Sequence, residues 1–252
     1  MQKVLQKVVG GIFSLTVCAG ALGATPFIVK LGQPNAEIVV AEDAPRMTQL
    51  GADELRDYVR KISGAELPVV HEPTGSQEVR IYIGRSASTD DLGITDDGLN
   101  HGAFRMVSGP DWLVLLGHDT DFKPIEHWSH NHGDRKRAQK EWEELTGAGW
   151  RNPMRSVHRG HHRESGIWTK DKGGSLQAVY AFLRDLGVRW YMPGELGDVV
   201  PEKASILLPR VDRTVKPDIP YRNLRLGNVR HFPWDDFVWA LRLGLNNVGL
   251  AG

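Results

Sequence analysis

Two amphipathic segments, each closed by a glycine, constrain the fold of this chain most strongly. The first runs from Pro45, which suits a first helical turn, to Gly64, and the second from Ser175, an expected N-cap, to Gly187. Apolar residues recur on one face at helical spacing: Leu50, Leu55, Tyr58, Val59 and Ile62 in the first segment, and Leu176, Val179, Tyr180, Leu183 and Leu186 in the second. A helix with one apolar face has to cover another element, so both helices are expected to lie on a sheet.

Short apolar and β-branched runs supply that sheet. Strands are expected at 26–31, 37–41, 67–70 and 79–83, and a hairpin at 102–116 turns through Gly109 and Pro110. The run 111–116 is apolar enough for a central strand, and 188–191 is another short strand. Residues 198–201 and 205–208 are expected to pair with each other. This order predicts an α+β fold, with a mixed β-sheet and helices packed on one face.

The N-terminus is typical of an export signal. Lys3 and Lys7 precede an apolar run at 8–22, and Ala21 and Gly23 are the small residues of a cleavage site. The alternative is a membrane anchor, but the run is shorter than the roughly 20 residues that span a bilayer. The only cysteine, Cys18, lies inside this signal. We therefore expect cleavage after residue 23, a secreted or periplasmic bacterial protein, and no membrane association of the mature chain.

Charge argues against one class of partner. The chain of 252 residues carries 31 Lys and Arg against 31 Asp and Glu, so its net charge is zero. A general nucleic-acid binder usually carries a basic excess, and we expect no nucleic-acid partner.

Residues 121–172 break the pattern of strands and helices and read as a long insertion. They hold six of the ten histidines and four of the eight tryptophans, and only 134–146 has helical spacing. Histidine clusters at 127, 130 and 132 and at 158, 161 and 162 could bind zinc or copper. However, no HExxH motif is present, and Arg135, Arg137, Arg159 and Arg163 oppose a cation. We predict no metal site and no cofactor, and keep a metal-dependent hydrolase as a third hypothesis.

Four stretches, in this order, carry a family resemblance: LGADELRDYVRKISGAELPVV, VRIYIG, WLVLLGHD and GSLQAVYAFLRDLGVRWYMPGELGDVVP. Together they resemble the N-terminal domain that precedes the catalytic barrel in bacterial alpha-glucuronidases. The second domain of beta-N-acetylhexosaminidases is similar, as is a group of large secreted bacterial proteins with a glycosidase-like barrel. The resemblance covers about 24–222 and is weakest in the insertion. It implies an α/β sandwich without catalytic carboxylates, placed on a (β/α)8 barrel.

The C-terminal part fits the start of such a barrel. Residues 217–226 read as a strand, and a helix capped by Asp235 follows after a loop. We therefore divide the chain into a sandwich domain at 24–216 and a truncated barrel domain at 217–252, because a barrel needs eight such units. The alternative is a complete protein whose C-terminal helix docks on the sandwich.

Two loops hold the candidate ligand-binding residues. Barrel enzymes build their sites at the carboxyl ends of strands, which selects Arg225, Asn228, Arg230, His231 and Trp234. In the insertion, Trp128, Trp150 and Trp168 could stack on sugars while Arg159 and Arg163 hold a carboxylate. The alternatives are that the first loop contacts the sandwich and that the tryptophans pin the insertion to the domain surface.

The sequence thus favours the non-catalytic N-terminal domain of a secreted glycoside hydrolase, alpha-glucuronidase-like and acting on polysaccharide. We assign no catalytic residue, since the resemblance places the acid and base on later barrel strands. The expected partners are carbohydrate, including uronic acids, and a barrel domain against which the sandwich packs. A carbohydrate-binding or interaction module without hydrolytic activity is the alternative.

Overall fold

The computed structural model of the protein describes residues 25–123, 132–146, 162, 164–222 and 234–246. The helices are α1 (Arg46–Ser63), α2 (Ala87–Asp91), α3 (His132–Thr146), α4 (Gly174–Leu186) and α5 (Trp234–Arg242). The strands are β1 (Phe27–Lys30), β2 (Gln33–Pro34), β3 (Ala36–Val39), β4 (Val69–Val70), β5 (Val79–Ile83), β6 (Phe104–Ser108), β7 (Trp112–Gly117), β8 (Asp119–Thr120), β9 (Lys172–Gly173), β10 (Arg189–Trp190), β11 (Asp198–Val199), β12 (Ile206–Leu207) and β13 (Asp212–Val215).

A mixed six-stranded sheet forms the centre, in the order β13-β6-β7-β5-β3-β4. Strands β4, β3, β5 and β7 run parallel, whereas β6 and β13 run antiparallel to their neighbours. The predicted hairpin is present as β6 and β7, and the predicted strands at 26–31, 37–41 and 79–83 are present as β1, β3 and β5. The predicted mixed α+β sheet is therefore confirmed.

Strand β7 is buried on both faces. Leu113 and Leu115 pack in the large core with α1 and α4, and Val114 and Leu116 pack on the opposite face. The opposite face is covered by the segment 84–103, in which α2 is a single short helix. The two long helices thus share one face as expected, and the prediction of a central strand at 111–116 is confirmed.

Helix α4 begins where its backbone meets the end of β7. A Cβ added to Gly117 would lie 2.3 Å from the carbonyl carbon of Gly174, so neither position has room for a side chain. The predicted N-cap role of Ser175 is wrong, because the helix already begins at Gly174. Since the first turn packs on β7, the Ser175 hydroxyl instead accepts a hydrogen bond from the Gly117 N–H at 2.9 Å.

Two further local predictions are wrong. Residues 198–201 and 205–208 do not pair with each other: β11 pairs with β10 across the connection at 191–197, and β12 pairs with β1. Ile206 and Leu208 of the second segment are buried in the large core together with Ile28 and Val29 of β1, which explains why this segment pairs with β1. Asp235 is not a cap, because α5 begins at Trp234. Its carboxylate lies in the first turn, where the helix dipole also favours a negative charge.

The insertion leaves and rejoins the sandwich at one place. Strand β8 pairs with β9, so that Asp119 lies opposite Gly173 and Thr120 opposite Lys172. Within the insertion, α3 confirms the helix predicted at 134–146. The two ends of the insertion are therefore fixed by the same backbone ladder.

Helix α5 docks on the sandwich. Phe237, Val238 and Leu241 are buried in the same core as α1 and α4. The guanidinium of Arg242 binds both carboxylate oxygens of Glu54 on α1, each at 2.9 Å, and both side chains are only 13% exposed. A buried two-point ion pair thus anchors α5.

No helix among the described residues is long and apolar enough to cross a membrane. The predicted signal at 1–23 lies outside the described residues, and so does the second half of the predicted barrel strand at 217–226. Both therefore stay predictions, as does the division of the chain at residue 216.

Arg242→Met should lower the free energy of unfolding by about 3 kcal/mol, because it leaves Glu54 buried without its partner. Urea denaturation measures this loss. Arg56→Met is the matched control: Arg56 pairs with Asp53 on the surface of α1, where such pairs contribute about 0.5 kcal/mol. Equal losses in the two variants would contradict the anchoring role of Arg242.

Candidate functional site

The carboxyl end of β7 and the amino end of α4 meet at one edge of the sheet, where Asp119 caps the helix. Its Oδ1 accepts from the Ser175 N–H and its Oδ2 from the Thr48 hydroxyl, both at 2.9 Å. The partners of Asp119 therefore come from two helices, α1 and α4. Burial raises the pKa of Asp119 to about 6, although the hydrogen bonds from Ser175 and Thr48 oppose the rise.

Asp171 ties the end of the insertion to the start of α1. Its fully buried carboxylate accepts from Arg46 Nε at 2.9 Å and Nη2 at 2.7 Å, and from the backbone N–H groups of Phe122 and Trp168. The hydrogen bond to Asp171 raises the pKa of Arg46. Asp121 adds a hydrogen bond from the backbone N–H of Arg46 at 3.0 Å. Because four hydrogen-bond donors surround the Asp171 carboxylate, we interpret its contacts as a structural connection between the insertion and α1.

A cleft of about 280 Å³ lies beside this connection, between the sandwich and the C-terminal residues. Its apolar residues include Met47, Leu176 and Leu241, which are buried. Its polar and aromatic residues include His101, His118, Lys170, Lys172, Tyr221 and Asn246. The cleft therefore combines an apolar floor with a rim that carries positive charge.

One wall of the cleft is held by Arg222 and Asn246. The Asn246 Nδ2 donates to the carbonyls of His101 and Pro220 at 3.0 and 2.7 Å, and Arg222 Nη1 donates to the same His101 carbonyl at 3.2 Å. Gly102 has a φ of +79°, and a Cβ there would lie 2.9 Å from Arg222 Nη2. The turn at 101–102 is thus fixed in place by the C-terminal residues.

His118 faces the cleft while it is oriented by a carboxylate. Its Nδ1 lies 2.7 Å from Asp96 Oδ2, and Asp96 also accepts from Arg85. Burial alone would raise the pKa of Asp96, but the hydrogen bond from His118, with further help from its own backbone and Arg85, lowers it overall. The Asp96 carboxylate therefore stays ionised and sets the orientation of the His118 ring.

Two of the site residues expected from the sequence, Trp168 and Trp234, are described by the structure, and neither lines this cleft. Trp168 is 8% exposed, and its ring centre lies 5.5 Å from that of Phe122. This agrees with the alternative in which the tryptophan packs the insertion against the domain surface. Trp234 stacks on His162 at 4.1 Å. The other five candidates, together with Trp128, Trp150 and Arg163, lie outside the described residues: Arg159, Arg225, Asn228, Arg230 and His231.

The sequence patterns did not identify the residues of the cleft, although several of them lie at the ends of predicted elements. His118 directly follows the central strand, and Lys170 and Lys172 directly precede α4. Loops at the carboxyl ends of parallel strands are frequent binding positions. The link to Tyr221 and Asn246 depends on the docking of the C-terminal residues, which no local pattern encodes.

The histidine clusters do not form a site in the described part of the chain. Within it, no three His, Cys, Asp or Glu side chains come together as a metal-binding group. His127, His130, His158 and His161 lie outside the described residues. The hypothesis of a metal-dependent hydrolase gains no support from the described residues.

Comparisons with known proteins find matches among solved structures. No protein-family model matches the chain, and neither does any curated protein. Among solved structures, the chain is similar to a family GH115 4-O-methyl-alpha-glucuronidase with specificity for decorated arabinogalactans. The TM-score is 0.37 at 16% identity, and the likeness covers 77% of this chain but only 19% of that enzyme. A TM-score of this size leaves fold and function to be argued from the residues of this chain.

Asp119 should make stability depend on pH in the opposite sense to an ordinary paired carboxylate. Its folded pKa is about 6 and thus lies above that of an unfolded aspartate, so its contribution is present at low pH and is lost as pH rises towards 6. Relative to Asp119→Asn, which does not titrate, the wild-type free energy of unfolding should fall by about 2 kcal/mol between pH 4.5 and 7. Urea denaturation at both pH values measures this difference, and a difference independent of pH would contradict the raised pKa.

Proposed function

We propose that this chain is the non-catalytic supporting domain of an exported glycoside hydrolase, alpha-glucuronidase-like and acting on polysaccharide. The observation that carries this proposal is that the described lining of the cleft offers no accessible carboxylate. Among the described residues that line it, Asp171 is the one carboxylate, and its side chain is buried under four hydrogen-bond donors. Glycoside hydrolysis uses two carboxyl groups about 5 to 10 Å apart across the bond that breaks.

The other well-buried acidic side chains are also bonded to groups of the fold. Glu37 is fully buried and accepts from the N–H and hydroxyl of Thr74. Glu54 holds Arg242, and Asp198 accepts from the hydroxyl of Tyr58. A carboxylate that holds two elements together cannot also leave its partner to transfer a proton without loss of stability. These acids support a role as a structural platform.

The family resemblance of four sequence stretches also supports the proposal. The stretches that resemble the alpha-glucuronidase N-terminal domain fall on α1, β5, β7 and α4, which together build the large core. The resemblance therefore rests on the residues that pack the sandwich. The catalytic acid and base are proposed to lie in a barrel domain, with carbohydrate as the partner of the whole protein.

An activity assay tests the supporting role. The purified chain should release no reducing sugar or uronic acid from glucuronic-acid-decorated xylan or arabinogalactan above a heat-treated blank. An active alpha-glucuronidase in the same assay is the positive control. Turnover above the blank that co-purifies with the folded chain would overturn the proposal, because it would give this domain a catalytic site of its own.

Export is tested separately. Expressed with residues 1–23 in a Gram-negative host, the chain should be recovered from the periplasm with Ala24 as its first residue. Mass spectrometry of the intact protein reads this out, and a chain that begins at residue 24 should remain in the cytoplasm. Recovery in the membrane fraction with Met1 retained would favour the anchor instead.

A further inference from the structure

We propose that the cleft between the sandwich and the C-terminal residues binds a hydroxylated organic anion about the size of one sugar ring. The proposal goes beyond the supporting role, because it assigns a binding site to this domain itself. It rests on the size, charge and rigidity of the cleft and on the rings that line it. None of these observations depends on a barrel or on hydrolysis.

Size sets the first limit. Pockets for drug-sized ligands span about 300 to 1,000 Å³. At about 280 Å³, this cleft lies just below that range, so it has room for a single sugar ring.

Charge sets the second limit. Lys170 and Lys172 both line the cleft and are exposed, and the ammonium group of Lys170 also lies 5.8 Å from the centre of the Phe122 ring. Their possible counter-charge, Asp171, is fully buried and is held by Arg46 at 2.7 Å. The cleft thus offers positive charge without an accessible carboxylate from its described lining, and lysine ammonium groups pair well with carboxylate or phosphate oxygens.

Two rings supply a surface for the rest of the ligand. Tyr221 is 71% exposed, and its ring lies 5.5 Å from that of His101 in an edge-to-face arrangement. Exposed aromatic faces of this kind pack against the C–H face of a sugar ring. Together with the buried floor at Met47 and Leu176, they favour a ligand that is apolar on one face.

The rim is also pre-organised. His101 has a φ of +58°, a left-handed conformation that is uncommon outside glycine, and its carbonyl is fixed by Arg222 and Asn246. His118 is oriented through its Nδ1 by Asp96, so its Nε2 is the nitrogen that can meet a ligand hydroxyl. Residues held in such conformations cluster at ligand-binding positions, since rigidity lowers the entropic cost of binding.

Isothermal titration and NMR titration of the chain with four probes test the proposal: D-glucuronate, D-galacturonate, glucose 6-phosphate and neutral D-glucose. At least one anion should bind saturably and shift the ring signals of His118, His101 and Tyr221. Its affinity should exceed that of glucose by about tenfold or more, and it should weaken with added salt. The contrast between the uronates and the phosphate identifies which anionic group the lysines prefer.

Lys170→Gln/Lys172→Gln should reduce the affinity for the anion about tenfold or more and leave the weak binding of glucose unchanged. Lys30→Gln/Lys216→Gln is the matched control, because it removes two exposed lysines that do not line the cleft and should leave affinity unchanged. Circular dichroism confirms that both variants fold. The proposal is overturned if no anion shifts the cleft signals, if glucose binds equally well, or if both double variants behave alike. None of these outcomes bears on the hydrolysis assay, so the two proposals fail independently.

Discussion

The backbone contact between Gly117 and Gly174 is the constraint on which the edge of the sheet beside the cleft depends. A side chain on either glycine would collide with the other segment, so β7 and α4 approach as closely as two backbones can. That approach brings the first turn of α4 within reach of Asp119, which caps it, and places Leu176 of α4 beside the cleft. One pair of residues without side chains thus determines both the cap of a core helix and the position of Leu176 beside the cleft.

Polar groups at this edge divide into two sets with different roles. Asp119, Asp171 and Arg46 are bonded to groups of the fold and hold three elements together. Lys170, Lys172 and Tyr221 line the cleft and are exposed to solvent. The described carboxylates of this edge and Arg46 therefore hold the fold together, whereas the side chains of the two lysines are exposed.

The elements of the fold were predictable where periodicity was strong. The apolar face of α1, the Gly64 and Gly187 ends of the two long helices and the two-sided burial of β7 all follow from local pattern. The prediction of the α4 cap was wrong because a residue distant in sequence caps the helix in place of a neighbouring one. Ser175 is an ordinary N-cap residue, but the cap comes from Asp119, 56 positions earlier.

The site was less predictable than the fold, for a related reason. Its rim is assembled from the turn at 101–102, the end of the insertion and the C-terminal residues, and only packing brings these together. Tryptophan and arginine composition drew attention to the insertion, yet Trp168 is buried against Phe122. A residue type indicates what chemistry is possible, but exposure decides whether that chemistry is available to a ligand.

Pairing of β8 with β9 has a consequence for how this fold can diversify. Because Thr120 and Lys172 are neighbours in a ladder, the span between them begins and ends at the same point of the domain. Lengthening a span whose ends are already joined adds little entropic cost, since that cost grows only with the logarithm of its length. Evolution can therefore exchange, extend or shorten this span while every strand of the central sheet keeps its register.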